Sequence, residues 1–165
     1  MLGQSFVFRK QRKIGAALEV NNRIIAYYPN FIPALVERTH TLMEMLSWDA
    51  ILESAQRLGG LAHENIDSLL FISWYEICYE GPSQSAATYI KTLRKAIEKL
   101  EPENGDLLYS TARLFSRLAN RNTIILEECE TMLKNAIKLV SNSKYYDELG
   151  YVYFLIGKEW LFLMK

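Results

Sequence analysis

Histidine, a common catalytic and metal-binding residue, occurs in this sequence only at His40 and His63. We identify no metal-binding motif of Cys, Asp or Glu around either one, and the acidic residue nearest in the sequence is Glu64, directly after His63. Adjacent residues do not share a helix face, so His63 and Glu64 cannot act together on a helix. We therefore interpret both histidines as structural, either exposed or hydrogen-bonded.

Cys78 and Cys129 are the two cysteines, and each lies within an apolar helical pattern. Their thiols could form a disulfide or act as nucleophiles. Isolated cysteines in apolar helices are more typical of small core residues in a protein of a reducing compartment. The cytosol is the expected location.

The other polar motifs favour structure over chemistry. Gly59-Gly60 lacks the Lys-Ser/Thr that completes a phosphate-binding loop. Glu127, Glu128 and Glu130 lie in the first half of a predicted helix, where the helix dipole stabilises negative charge. The sequence thus predicts no catalytic residue, no cofactor site and no metal site, and a protein that is not an enzyme.

Charge and hydropathy disfavour several classes of partner. The 165 residues include 19 Lys plus Arg and 19 Asp plus Glu, so the chain as a whole has no electrostatic bias toward nucleic acid or anionic lipid. Half of the residues are apolar, yet no run reaches the roughly 18 that a membrane span needs. We expect one domain with a sizeable core, and neither nucleic acid, membrane insertion nor a small-molecule substrate.

Periodic apolar residues predict helices along the chain. In one helix, spacings of 4, 3, 4 and 3 place an apolar stripe on one face, at Ala86, Ile90, Leu93, Ile97 and Leu100. Amphipathic helices joined by short polar turns must stack, because none can bury its apolar face alone. We expect an all-α, right-handed α-solenoid, a single array of antiparallel helical hairpins at about 1–29, 30–60, 66–101, 105–140 and 144–165. The array begins and ends within a hairpin, which indicates a segment truncated at both ends.

Turn residues predict where these helices begin and end. Pro29 stops one helix, Gly59-Gly60 offers left-handed conformations for a C-terminal cap, and Gly81-Pro82 stops another helix. The candidate N-caps are Asn65 or Asp67 for one helix, and Ser83 or Ser85 for the next.

Small residues recur at comparable places in the predicted hairpins. Ala96 and Ala136 are 40 residues apart in second helices, while Ser73, Ala112 and Gly150 are separated by 39 and 38 residues in first helices. Small side chains let two helix backbones approach closely, which fixes each hairpin and its stacking. We predict structural repeat positions at Gly3, Ser73, Gly81, Ala96, Ala112, Ala136 and Gly150.

The motif Leu-Gly-x-x-aromatic, at Leu2-Gly3 and Leu149-Gly150, resembles the tetratricopeptide repeat, as do the prolines Pro29 and Pro102. That repeat has a period of about 34 residues, so the longer spacing here indicates lengthened loops or helices. Armadillo and HEAT arrays share the longer period, and spacing alone does not separate these classes.

Six segments, in order between about Ala16 and Gly157, resemble the tetratricopeptide repeat protein 21 family. They are Phe31-Ile32-Pro33-Ala34-Leu35-Val36-Glu37, Ser54-Ala55-Gln56-Arg57-Leu58, Ile77-Cys78-Tyr79-Glu80-Gly81, Leu100-Glu101-Pro102-Glu103-Asn104, Phe115-Ser116-Arg117 and Arg121-Asn122-Thr123-Ile124-Ile125-Leu126. That family is the large repeat subunit of intraflagellar transport complex A. Its members are several times longer, so the resemblance implies an internal portion. The stretch from Trp160 to Lys165 departs from the repeat pattern.

The resemblance implies a non-enzymatic scaffold that packs against other protein subunits of complex A, supporting retrograde ciliary transport and cilium assembly. It also implies a location in the cytoplasm, at the cilium and at its base. A stack of hairpins equally suits an alternative, a generic tetratricopeptide-repeat adaptor that binds short peptide motifs. A regulatory domain of a catalytic chain is a third and less favoured hypothesis.

Two groups of side chains have both a binding and a structural interpretation. The basic turn from Arg9 to Lys13 could contact phosphate or an acidic partner, but we favour a solvated helix end. Many aromatic residues could line a peptide groove, but we favour gap filling between hairpins, with hydroxyls bonded to turns: Trp74, Tyr75, Tyr79, Tyr89, Tyr109, Tyr145, Tyr146, Tyr151 and Tyr153. Asp67 to Tyr79 contains no Lys, Arg or Asn, so a carboxylate clamp is not expected there.

Overall fold

A computed structural model describes residues 1–62 and 64–157. These residues form nine α-helices, one π-helical segment and no β-strand, which confirms the predicted all-α class. The helices are α1 (Leu2–Lys10), α2 (Ile14–Tyr27), α3 (Ile32–Glu44), α4 (Trp48–Leu61), α5 (Ile66–Tyr75), α6 (Gln84–Leu100), α7 (Gly105–Leu118), α8 (Thr123–Leu139) and α9 (Ser143–Ile156), with the π-helical segment at Glu76–Glu80. The stretch from Trp160 to Lys165, which departs from the repeat pattern in the sequence, lies outside the described residues.

The chain divides into two compact units, Met1–Tyr75 and Glu76–Lys165. In the first unit each helix packs against the next one along the chain, and α1 also contacts α3. In the second unit α8 packs against α6, α7 and α9. Within the units, α1 packs on α2, α3 on α4, and α7 on α8. The single array over residues 1–165 stays a prediction.

The core of the first unit has two hydrophobic clusters. One joins α2 to α3 through Val20, Ile24 and Ala34, with Leu2 and Phe8 packed against it. The other joins α3, α4 and α5 through Leu35, Ala55, Leu58 and Phe71. Burial of these apolar side chains stabilises the packing of α2 to α5 within this unit.

Small hydroxyl side chains bond neighbouring helices of the first unit at buried positions. Ser5 Oγ of α1 donates to the Ala17 carbonyl of α2 at 3.2 Å, and Ser68 Oγ of α5 donates to the Ala55 carbonyl of α4 at 2.7 Å. A short side chain that carries its own hydrogen bond lets helix backbones approach without leaving a buried polar group unsatisfied.

Side-chain caps begin five of the helices and confirm two predicted boundaries. Ser83 Oγ accepts from the Ala86 amide at 3.1 Å, and Asn65 Oδ1 accepts from the Ser68 amide at 2.8 Å. Asn104, Asn122 and Asn142 cap α7, α8 and α9 in the same way. Gly81 has φ of 98°, which only glycine adopts readily, and it follows the last residue of the π-helical segment.

The predicted left-handed cap at Gly59-Gly60 is wrong. Helix α4 continues through both glycines to Leu61, and neither glycine has a positive φ. A Cβ on Gly59 would lie 3.0 Å from Ser68 Oγ, whereas a Cβ on Gly60 would meet no atom within 4 Å. Gly59 therefore allows α5 to approach α4 closely, a long-range requirement that looks like a cap signal in the sequence.

This difference between the two glycines predicts opposite effects of alanine. Gly60→Ala is expected to stabilise the chain by about 0.5–1 kcal/mol, because alanine restricts the unfolded chain and fits the helix. Gly59→Ala should lose this gain, since its Cβ displaces the Ser68 hydroxyl from its bond with Ala55. Urea unfolding followed by circular dichroism measures both. Equal stabilisation by the two variants would contradict the close approach.

The predicted repeat positions differ in their surroundings. Ser73, Ala96, Ala112, Ala136 and Gly150 are buried in their helices. In contrast, Gly3 is exposed, and a Cβ there would meet no atom within 4 Å, so no close helix approach in the described part of the chain depends on it. The equivalence of these seven positions as a repeat stays a prediction.

Enlarging a buried alanine should overpack the α7–α8 pair. Ala136 is fully buried, and its Cα and carbonyl oxygen lie 3.7 and 3.5 Å from the position of a Cβ on Gly105. Ala136→Leu, like Ala112→Leu at the fully buried Ala112, is expected to cost about 1–3 kcal/mol of unfolding free energy. Thermal melting checks this, with Lys138→Leu as an exposed control on α8. Parental melting temperatures in both buried variants would show that these helix contacts are misassigned.

Candidate protein-interaction surfaces

In residues 1–62 and 64–157, no group of three His, Cys, Asp or Glu could hold a metal ion. Cys129 is buried, and burial, with smaller effects of Glu148 and Glu128, raises the pKa of its thiol to about 12. Burial also raises the pKa of the half-buried Cys78 thiol. Both cysteines are free thiols that are protonated at neutral pH, as expected for core residues.

His40 packs as an aromatic ring inside the first unit. Its ring meets Phe71 edge-on, with 4.9 Å between the centroids, so His40 is a half-buried structural histidine that packs on an aromatic ring. The physical reason is that α5 brings Phe71 against α3, which the spacing of the two residues in the sequence does not reveal. The interpretation of His63 falls outside the described residues.

Because His40 is half-buried, the first unit should lose stability in acid. Burial, followed by the charge of Arg9, lowers the pKa of His40 below 6.5, although Glu37, Asp67 and Glu44 raise it in part. The unfolded chain then binds the proton more readily, so this contribution is complete above about pH 7 and is lost as pH falls through 6.5. Urea titrations at pH 7.5 and 5.5 should show a smaller loss for His40→Gln than for the parent chain. Equal losses would contradict the burial effect.

Arg9 is an interhelical ion-pairing residue, which corrects the expectation of a solvated basic turn. Its Nε and Nη2 donate to the Glu37 carboxylate at 2.8 and 3.1 Å, and its Nη1 donates to Glu44 at 3.1 Å. The side chains of Arg9 and Glu37 are only 13% and 12% exposed. The hydrogen bond to Glu37 raises the pKa of Arg9. Lys10 and Arg12 are exposed, so the solvated interpretation holds for them but not for Arg9.

An apolar groove lies on the first unit, lined by residues of α1, α3 and α5. It encloses about 520 Å³, a volume typical of ligand and peptide sites. Its wall is apolar except for two carboxylates, and its lining residues are Leu2, Gly3, Phe6, Ile32, Pro33, Val36, Glu37 and Asp67. Glu37 is held by Arg9, so the groove is preformed by an interhelical ion pair.

An exposed aromatic patch lies at the end of α2 and in the turn after it, and it was not expected from the sequence. Tyr27, Tyr28 and Phe31 are 74%, 65% and 42% exposed. Tyr28 and Phe31 line an apolar depression of about 450 Å³, together with Met1, Leu2 and Ile24. The run Tyr27-Tyr28-Pro29-Asn30-Phe31 was a usable signal, because three aromatic residues surround a proline turn.

Several of the aromatic residues fill gaps between helices, as expected from the sequence. Trp48 stacks on Trp74 at 5.3 Å between ring centroids and meets Tyr75 edge-on at 6.2 Å. Tyr145 is buried and its hydroxyl donates to Asp106 at 2.8 Å, while its ring lies 5.1 Å from that of Tyr109. Others are more than a third exposed, namely Tyr79, Tyr89 and Tyr146.

A second surface lies on α7 in the second unit. A depression of about 430 Å³ is lined by Tyr109, Ser110, Arg113, Leu114, Arg117 and Leu118. Arg117 donates to both oxygens of Glu148 on α9 at 2.7 and 2.9 Å, and its guanidinium lies 3.8 Å above the Tyr151 ring. Glu148 is 5% exposed, so this pair fixes α9 against α7.

The acidic residues of α8 join helices and do more than complement the helix dipole. Glu128 accepts from Arg94 of α6 at 2.8 Å, and Glu130 pairs with Lys134 at 2.7 Å and accepts from Tyr153 of α9 at 3.3 Å. The long-range partners, Arg94 and Tyr153, lie on neighbouring helices, so local sequence could not indicate them.

The described helices include none that is long and apolar enough to cross a membrane.

Comparison with known proteins identifies relatives along nearly the whole chain. Residues 88–159 match the model of the tetratricopeptide repeat protein 21 second ARM domain. The chain is 32% identical over 159 residues to tetratricopeptide repeat protein 21B of Homo sapiens, and the match covers 96% of this chain. It is 30% identical over 156 residues to tetratricopeptide repeat protein 21A of Mus musculus.

The chain belongs to the tetratricopeptide repeat protein 21 family.

The matched segment is a small part of those family members. It spans 12% of the length of the human 21B protein, so the activity of the whole protein does not transfer directly to this segment. Two solved structures share the fold. MamA crystal structures superpose with TM-scores of 0.61 and 0.60 at 14% and 17% identity, each covering 93% of this chain and 84% and 79% of theirs. Family and fold together support a helical-repeat scaffold for protein interactions.

Proposed function

We propose that the chain is a non-enzymatic scaffold segment within intraflagellar transport complex A, acting in retrograde ciliary transport and cilium assembly. Its partners are other protein subunits of that complex, and it works in the cytoplasm, at the cilium and at its base. Membership of the tetratricopeptide repeat protein 21 family supports this assignment.

The preformed groove of the first unit is the observation that carries the scaffold role. Three helices line it, its wall is largely apolar, and an ion pair between Arg9 and Glu37 fixes two of those helices. A surface that is already ordered binds a partner without the entropic cost of ordering loops. Exposed Phe6, at 47%, supplies an aromatic anchor of the kind enriched at interfaces.

Co-purification tests the proposal in ciliated cells that express the tagged full-length protein. Complex A subunits should be recovered with the parent protein and recovered less with Phe6→Asp. Gln4→Asp, an equal charge at another exposed position of α1, is the matched control and should behave as the parent. Absence of complex A subunits from the parent sample would refute the assignment.

The alternative is a generic adaptor that binds short peptide motifs, and the size of the same groove favours it. It predicts that the 165-residue chain alone binds a linear peptide with micromolar affinity. A peptide array probed with the chain and with Phe6→Asp distinguishes the two functions. An array without hits counts against the adaptor. Hits on the array, together with a parent sample from which no complex A subunits are recovered, favour the adaptor.

A further inference from the structure

The outward face of α7 carries a cation that the fold does not neutralise. Arg113 is exposed, and its Nη1 donates to the Tyr109 hydroxyl at 3.3 Å. Across residues 1–62 and 64–157, no carboxylate oxygen pairs with Arg113 within 4.0 Å. Its guanidinium therefore keeps most of its five hydrogen-bond donors for solvent or for a partner.

Two other cations near this face, Arg117 and Lys144, already bind carboxylates. Arg117 binds Glu148 through two hydrogen bonds and lies over the Tyr151 ring, and Lys144 donates to Asp106 at 2.7 Å. These contacts hold α7 and α9 together, so they would be disrupted by a partner that competed for them. Arg113 has no such role, because its hydrogen bond to Tyr109 stays within α7.

An apolar strip lies beside Arg113. Leu114 and Leu118 are half-buried and four residues apart, so they are neighbours on one side of the helix. With Tyr109, Arg113 and Arg117 they line the depression of about 430 Å³ on α7. A helix face that carried only a cation would attract any anion. An apolar strip next to the cation instead favours a segment that has both an acidic side chain and an apolar one.

We propose that this face of α7 binds an acidic peptide segment of a partner protein. An aspartate or glutamate of the peptide pairs with Arg113, and an adjacent Leu, Ile or Phe packs on Leu114 and Leu118. Arginine suits this role because its planar fork binds a carboxylate through two parallel hydrogen bonds. The inference rests on the proposed scaffold function, for which it names the chemistry of one partner.

Selection from a displayed library of random 12-residue peptides tests this proposal with the 165-residue chain as bait. We expect the selected peptides to be enriched in Asp and Glu next to a large apolar residue. Their affinity should fall about tenfold or more for Arg113→Glu, because the carboxylate then meets a like charge. Arg113→Lys should retain part of the affinity, since it keeps the charge and loses the fork.

The matched control is Lys91→Glu, which reverses an exposed charge on α6 and should leave binding unchanged. Circular dichroism of each variant verifies folding. The proposal is overturned if no peptide is selected, if the peptides are not acidic, if Arg113→Glu binds them as the parent does, or if polyuridylic acid displaces them at equal charge concentration.

Failure of this inference is distinguishable from failure of the proposed function. In one outcome, complex A subunits co-purify with full-length Arg113→Glu as they do with the parent, and the selected peptides bind equally well with and without Arg113. That outcome refutes only the α7 site. In the other outcome, peptide binding depends on Arg113 but no complex A subunits are recovered with the parent protein. That outcome supports the α7 site and refutes the complex A assignment.

Discussion

Replacing Phe115 with alanine is expected to lower the free energy of unfolding by about 3–5 kcal/mol. Phe115 is on α7 and is fully buried in the second unit. The loss combines the transfer free energy of the aromatic ring with the cost of the cavity that α8 and its neighbours cannot fill completely. Phe115→Leu, which keeps most of the volume, should cost much less.

Urea unfolding followed at 222 nm measures the effect, with Ile124→Ala as the control. Ile124 lies in the first turn of α8 and is 42% exposed, so its truncation should change stability by about 1 kcal/mol or less. A loss below about 1 kcal/mol for Phe115→Ala would mean that α7 does not pack on α8 as described.

Local sequence patterns predicted the helices well because each helix must bury one stripe. Helix α6 runs from Gln84 to Leu100, and its buried residues include Ala86, Ile90, Leu93 and Ile97, four members of the predicted stripe. The caps Ser83 and Asn65 were also predictable, because a cap bonds an amide within three residues. Period and capping are local properties that a single sequence contains.

The surfaces were less predictable because they depend on residues that are distant in the chain. Arg9 looked like part of a solvated turn, yet it binds Glu37 on another helix. Gly59 looked like a cap, yet it makes room for Ser68. In both cases the deciding atom is supplied by helix packing, which neither periodicity nor turn chemistry specifies.

Removing Arg94 should measurably destabilise the second unit, because its side chain ties two carboxylates together. Its Nε donates to Glu128 at 2.8 Å, and its Nη1 donates to both oxygens of Glu98 at 2.9 Å. Glu98 also accepts from Asn135 of α8 at 2.7 Å. The network joins α6 to α8, and the side chains of Arg94 and Glu128 are 14% and 16% exposed.

Arg94→Met is therefore expected to cost about 2–3 kcal/mol, because it leaves Glu128 shielded from water without its cation. The cost should lie below that of a fully buried pair, since the Glu98 side chain is 30% exposed. Arg23→Met is the control. It breaks a pair with Glu19 in which the two side chains are 62% and 71% exposed, and it should change stability by less than about 0.5 kcal/mol.

The double variant Arg94→Met/Glu128→Met separates the loss of a favourable pair from the exposure of an unpaired charge. If the damage in Arg94→Met comes from the unpaired Glu128 carboxylate, removing that carboxylate should restore most of the stability, since two apolar side chains can pack in the same space. If the double variant is as unstable as the single one, the pair itself supplies the stability and α6 depends on it for its attachment to α8. Urea unfolding of the four chains in this cycle gives the coupling energy directly.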